Sequence, residues 1–154
     1  MEEQNTSIIE ALEKILQNFE KTILPEDGKG ALKYLTMGEL ELNVLNAEQC
    51  GEAAVMLTSL SYNVHRAFNK EKARVNYLNK MLMKNIAPRM GQYQYRTTEE
   101  KAALAISEDD YAIKIQKEIV IIQAKMDRIE YLSLKFDNSA EMFKVLQLTK
   151  RKMQ

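Results

Sequence analysis

The stretch RMGQYQYRT, residues 89–97, carries Tyr93 and Tyr95 one residue apart, between Arg89 and Arg96. Guanidinium groups neutralise phosphates. Phenol rings offer flat faces on which unpaired bases stack, worth about 1–3 kcal/mol per base. The same residues also fit a plainer role: a short extended segment with one face on a core, its tyrosines packed over a helix junction. The stretch closes a run of positive charge. Residues 65–96 hold eight Lys/Arg against one acid, Glu71, while residues 1–64 hold eleven acids and four bases and residues 97–154 hold ten of each. The net charge is zero, so the middle of the chain is a basic block inside a balanced protein. Such segregation points to an anionic partner.

On a helix, Arg66, Lys70 and Arg74 step by four and share a face, and Lys80 and Lys84 repeat that step. Lys72 lies off this line. Like charges stacked at i, i+4 repel by a few tenths of a kcal/mol, and a helix that needed only solubility would mix acids among them. Two readings remain open: a solvated face, or a track for phosphates.

Other chemistry finds little support. His65 is the only histidine and Cys50 the only cysteine, so the chain can make neither an intrachain disulfide nor a Cys/His zinc site. His65 reads as a polar helix residue, and Cys50, on an Ala/Leu stripe, as a small buried hydrophobe. The acids Glu108, Asp109 and Asp110 suit a helix N-terminus. DGKG, residues 27–30, lacks the surrounding pattern of a phosphate-binding loop. No nucleophile–base pair, nucleotide cradle or metal spacing is legible, so the expectation is a protein that is not an enzyme and has no cofactor. The N-terminus lacks the basic start and apolar run of a signal peptide, and no apolar stretch nears the ~20 residues of a membrane span. A reducing cytoplasm is the expected compartment.

The positioning elements are helices. The chain has 154 residues, 45% of them apolar, with two prolines and five glycines, a composition that favours one helical domain. Ser7 and Glu10 form a capping-box pattern that predicts a first helix over about 7–20, with a stripe of Ile8, Leu12, Ile15, Leu16 and Phe19. LPEDGKG, 24–30, breaks it. A short helix from Ala31 to about Leu35 and a break at Gly38 follow. A long helix then begins at Glu39 or Asn46 and runs to Ala87. Its stripe of Cys50, Ala53, Ala54, Leu57, Leu60, Val64 and Phe68 resumes at Val75, Leu78, Leu82 and Ile86. The intervening NKEKAR has little to bury and should be solvated or hold a ligand. Pro88 ends or kinks this helix, and Thr97 or Thr98 caps a short turn. Ser107 with Asp110 opens another long helix with core residues spaced close to a heptad from Tyr111 to Phe136. DNS, 137–139, interrupts it, and a last helix runs from Ala140. IVII, 119–122, is apolar on more than one side, which suits a multi-helix core or a subunit contact.

The order of these features resembles the phage UvsY-type recombination mediators. The resemblance rests on a basic helix, the Arg/Tyr connector RMGQYQYR, and then EEKAALAISEDDYAIKIQKEIVIIQAKMDRIEYLSLKFDNSAEMFKVLQLTKRK. It covers roughly residues 45–152 and is a likeness of pattern with few identities. It implies an all-α fold: a long helical hairpin with additional N- and C-terminal helices, assembling as a ring-shaped homo-oligomer. It also implies binding to single-stranded DNA and to a RecA-like recombinase, helping the latter displace single-strand-binding protein. The matching basic and connector positions are Lys84, Arg89, Tyr93, Tyr95 and Arg96, and the assembly segment falls on 139–153. Here a proline precedes the arginine and a glutamine separates the tyrosines, which departs from the family's order.

The resulting expectation is one domain, with an acidic helical region over 1–40 and the basic helix, connector and C-terminal helices over 41–154. Arg66, Lys70, Lys72, Arg74, Lys80, Lys84, Arg89 and Arg96 would contact phosphates, and Tyr93 and Tyr95 would stack on bases. Ile119, Val120, Ile122, Met142, Phe143 and Leu146 would form the oligomer interface. The compartment would be the host cytoplasm if the chain is phage-encoded. The alternative is a helical scaffolding protein whose basic strip pairs with a neighbour's acidic N-terminal segment.

Overall fold

The computed structural model describes residues 2–24 and 29–153, with side chains described over 9–24 and 30–153. All regular structure among the described residues is helical. Helix α1 spans Glu2–Ile23, α2 Lys29–Leu32 (followed by a 3-10 turn, Lys33–Leu35), α3 Glu39–Val44, α4 Ala47–Met90, α5 Thr98–Ser107 and α6 Asp110–Lys152. Contacts group the chain into two compact units, Met1–Phe68 with Asp127–Gln154, and Asn69–Met126.

Helix starts follow side-chain caps, which satisfy the free N–H groups of a first turn. Asn46 and Gln49 cap α4 reciprocally. The Asn46 carboxamide accepts from the Gln49 N–H at 2.8 Å, and the Gln49 side chain accepts from the Asn46 N–H at 2.9 Å. This pair places the start at Ala47, leaving Glu39–Val44 as a separate helix. Thr97 and Glu100 form the same box at α5. Two other expected starts, at Ser7 and Ser107, are corrected. Helix α1 begins before Ser7, whose side chain lies outside the described residues, as do most of LPEDGKG and the Ile8 side chain. Ser107 is the last residue of α5 and donates to the Leu104 carbonyl. It is Asp109 that opens α6, accepting from the Tyr111 and Ala112 N–H groups at 2.8 Å each.

DNS does not interrupt α6, which is continuous to Lys152. Asp, Asn and Ser disfavour a helix mainly when they bond to their own backbone. The Asp137 carboxylate instead accepts from Ser61 and lies against His65 on α4. Phe136, Ala140 and Phe143, all buried, hold the helix through this stretch. Pro88 sits in the last turn of α4, two residues before its end.

In the first unit, Cys50, Ala53, Leu57, Leu60 and Val64 of α4 pack with Ile129, Phe136 and Phe143 of α6, and Ile23, Ala31 and Tyr34 close the core. The Tyr34 ring meets Phe143 edge-on at 5.4 Å. Gly51 on α4 leaves room for the Gln147 side chain, whose amide nitrogen lies 2.3 Å from where a Cβ would stand; that flexible end would have to swing aside for any larger residue. Arg128 ties α1 to α6 through Glu20 at 2.6 Å and Glu13 at 3.4 Å. In the second unit, Leu82 and Ile86 of α4, Ala105 of α5, and Ala112 and Ile115 of α6 form a separate core. This unit is a helical hairpin with α5 in its connection.

Candidate nucleic-acid interface

The interface candidates divide by what surrounds them. The second unit carries eleven Lys/Arg against seven Asp/Glu, and the first carries eleven against fifteen, so positive charge concentrates in the second. Its α4 face toward the core holds Glu71, Val75, Leu82 and Ile86, all buried. The opposite face presents Lys70, Ala73, Tyr77, Lys80 and Lys84, all exposed, spaced as one helical stripe. From Lys70 to Lys84 the stripe runs about 21 Å at 1.5 Å per residue. Lys72 lies on its flank, beside exposed Asn76.

The arginines do something else. Arg74 holds the buried Glu71 carboxylate through Nη1 at 2.9 and 3.2 Å and reaches Glu118 of α6 through Nη2 at 3.1 Å. Arg89 pairs with Asp109 at 2.6 Å. Asp109 thus uses one oxygen to cap α6 and the other to hold the end of α4. The Ala112 N–H and, after it, the Arg89 charge keep its carboxyl below the usual range. Arg74 and Arg89, expected as phosphate contacts, are thus engaged in ion pairs within the chain. Glu118 and Asp109 lie 44 and 20 residues away in sequence, outside any local window, whereas Glu71 lies three residues before Arg74 and within one. Arg66 is exposed but belongs to the first unit. Among the described residues, Arg66, Lys70, Lys72, Lys80, Lys84 and Arg96 make no ion pair.

The tyrosines separate in the same way. Tyr93 packs against the second unit's core, and its hydroxyl donates to the Glu108 carboxylate. That hydrogen bond, then its partial covering and the Glu108 charge, raise the phenol above its usual range. Tyr93 is a junction residue, not a free stacking face. Tyr95 is fully exposed and is the one non-glycine residue with positive φ among the described residues, at 61°. A side chain in the left-handed region is strained, and here no burial offsets that strain. Sequence reasoning missed Tyr77, which is 64% exposed in the middle of the lysine stripe. The signal was present: Lys70, Tyr77, Lys80 and Lys84 fall at offsets of 7, 10 and 14, a helical face.

His65 proves to have partners that the sequence did not suggest. Ser133 Oγ and Asp137 Oδ2 lie 2.8 and 3.1 Å from its Nε2. A nucleophile relay needs hydroxyl and carboxylate on opposite ring nitrogens. Here both crowd one nitrogen, so the cluster joins α4 to α6 and does not form that relay. Asp137 is held below the usual carboxyl range, chiefly by the Ser61 hydroxyl and then by His65. Among the described residues no group of three or more His, Cys, Asp or Glu side chains could hold a metal ion, and no helix is long and apolar enough to cross a membrane.

Of the six expected interface residues, Ile122 and Phe143 are fully buried in the chain, and Ile119 and Leu146 pack against its cores. Burial in the fold removes Ile122 and Phe143 from any subunit contact. Val120 and Met142 remain exposed. No family model, no curated protein and no solved structure matches this chain.

Proposed function

We propose that this chain is a single-stranded-DNA-binding protein that acts without catalysis, as a mediator that helps load a RecA-like recombinase. The observation that carries the binding reading is the α4 stripe of Lys70, Tyr77, Lys80 and Lys84, a row of unpaired ammonium groups around an exposed ring. Two acids of the same unit, Glu71 and Glu118, are already engaged by Arg74. Exposed Tyr95 and Arg96 supply a second ring and cation. Lysines along one face track a backbone without reading its sequence, and aromatic faces add stacking that every base provides. The mediator role rests on the resemblance to UvsY-type proteins.

The test is fluorescence anisotropy of a labelled oligonucleotide across a salt series. Binding through about four phosphates gives a log–log slope near −3. Absence of binding at about 50 mM salt sinks the reading and leaves the scaffold. That alternative expects salt-sensitive self-association and no affinity for nucleic acid. For the mediator role, the chain should speed assembly of a RecA-like recombinase on an oligonucleotide coated with single-strand-binding protein. Binding without that acceleration removes the mediator role alone.

A further inference from the structure

Helix α6 has a second stripe on the side away from the first unit's core. Tyr131, Leu134, Val145 and Leu148 are between 57% and 69% exposed. Tyr131, Asn138 and Val145 step by seven, and Leu134, Glu141 and Leu148 step by seven with an offset of three. These are the a and d positions of a heptad seam, the pattern one helix shows to another. The core-facing residues Phe136 and Phe143 occupy the opposite side of the same helix, so the seam is surplus to the chain's own packing.

The charges beside the seam say what covers it. Glu130, Asp137, Lys144 and Arg151 each precede an a position or continue that row, two acids followed by two bases. An antiparallel second copy places Glu130 against the partner's Arg151, and places Asp137, half exposed beyond its bonds to Ser61 and His65, against the partner's Lys144, which exchanges its own Glu141 for it. The two-fold axis repeats both contacts, giving four attractions. In a parallel pair this rim faces Lys135, Met142 and Thr149, and only the Glu130–Lys135 contact, made twice, attracts.

We propose that α6 pairs with α6 of a second copy of this chain, antiparallel, through the Tyr131–Leu148 seam. In that register Tyr131 meets the partner's Leu148, Leu134 meets the partner's Val145, and Asn138 meets the partner's Glu141. The central layer is polar. An Asn carboxamide donating to a carboxylate across the axis fixes the register at some expense in affinity. The contact is isologous and closes on itself, so it yields a dimer and not, by itself, the ring that the resemblance implies. It needs no nucleic acid and stands or falls apart from the binding reading.

Sedimentation velocity of the full chain, free of nucleic acid, should show a dimer, and Leu134→Arg with Val145→Arg should give a monomer with an unchanged melting temperature. A wild-type monomer, or a double variant that stays dimeric, overturns the proposal. Glu130→Lys alone should weaken association on the order of tenfold, and adding Arg151→Glu should restore it. Failure to restore overturns the register. Oxidative cross-linking reads orientation directly, since Cys50 is buried. Leu134→Cys and Val145→Cys should cross-link when mixed and not singly. In the antiparallel pair, like positions at 134 stand about 16 Å apart along the axis. Self-cross-linking of either single variant overturns the antiparallel arrangement.

Discussion

At the scale of single residues, three tyrosines divide by exposure: Tyr77 and Tyr95 are exposed, and Tyr93 is held by Glu108. Tyr77→Ala and Tyr95→Ala should each weaken binding to an unpaired oligonucleotide by about 1–3 kcal/mol while the salt slope holds. Lys80→Ala should instead flatten the slope by about 0.7. Tyr93→Phe should leave affinity unchanged and lower the melting temperature, because it removes only the hydroxyl that meets Glu108. Equal losses of affinity at all three rings would refute this division. Asp137 gives a pH prediction. Its folded carboxyl titrates below the ordinary 3.8. Its stabilisation is therefore complete above that value and disappears as pH falls through the lower folded value. Ser61→Ala removes the largest cause. The stability gap between wild type and variant should be widest above pH 3.8 and shrink in stronger acid. A gap of constant size across an acid series of urea melts would show that the hydroxyl acts elsewhere.

At the scale of elements, caps and cores set the boundaries. Thr97→Ala should cost about 1 kcal/mol, and Phe143→Ala about 3–5 kcal/mol, both read by urea unfolding. The second value, without a change in subunit mass, would confirm that Phe143 serves the fold and not an interface. The helices were legible because 3.6-residue periodicity survives in Cys50–Phe68 and Tyr111–Phe136. Boundaries were less so. Two cap patterns compete around Ser107–Asp110, and only geometry shows that the Asp109 side chain turns to the free N–H groups. DNS carries a true local preference against helix, overridden by burial on either side of it. Positive charge was visible as a block. Which charges are free was not, because Glu118 and Asp109 reach the block from another helix.

At the scale of the whole molecule, one contact links distant parts of the sequence. Lys150, whose position at the end of α6 suggests service to that helix's own C-terminus, reaches across to α3. Its ammonium donates to the carbonyls of Leu42 at 2.9 Å and Asn43 at 3.0 Å, and also to that of Leu45. The last turn of the chain thus terminates a helix more than a hundred residues earlier. An ammonium has three N–H donors, and all three are used. Acetylation would leave one N–H and no charge, and Lys150→Met would leave none. Either change, or loss of the final five residues, should make the 38–46 segment the first site cut by a nonspecific protease, with α4 and α6 cut later. Leu42 and Leu45 rest on the core, and the polar half of the α3 attachment comes from a single group that acylating chemistry can erase, so digestion patterns would report its modification without any assay of binding.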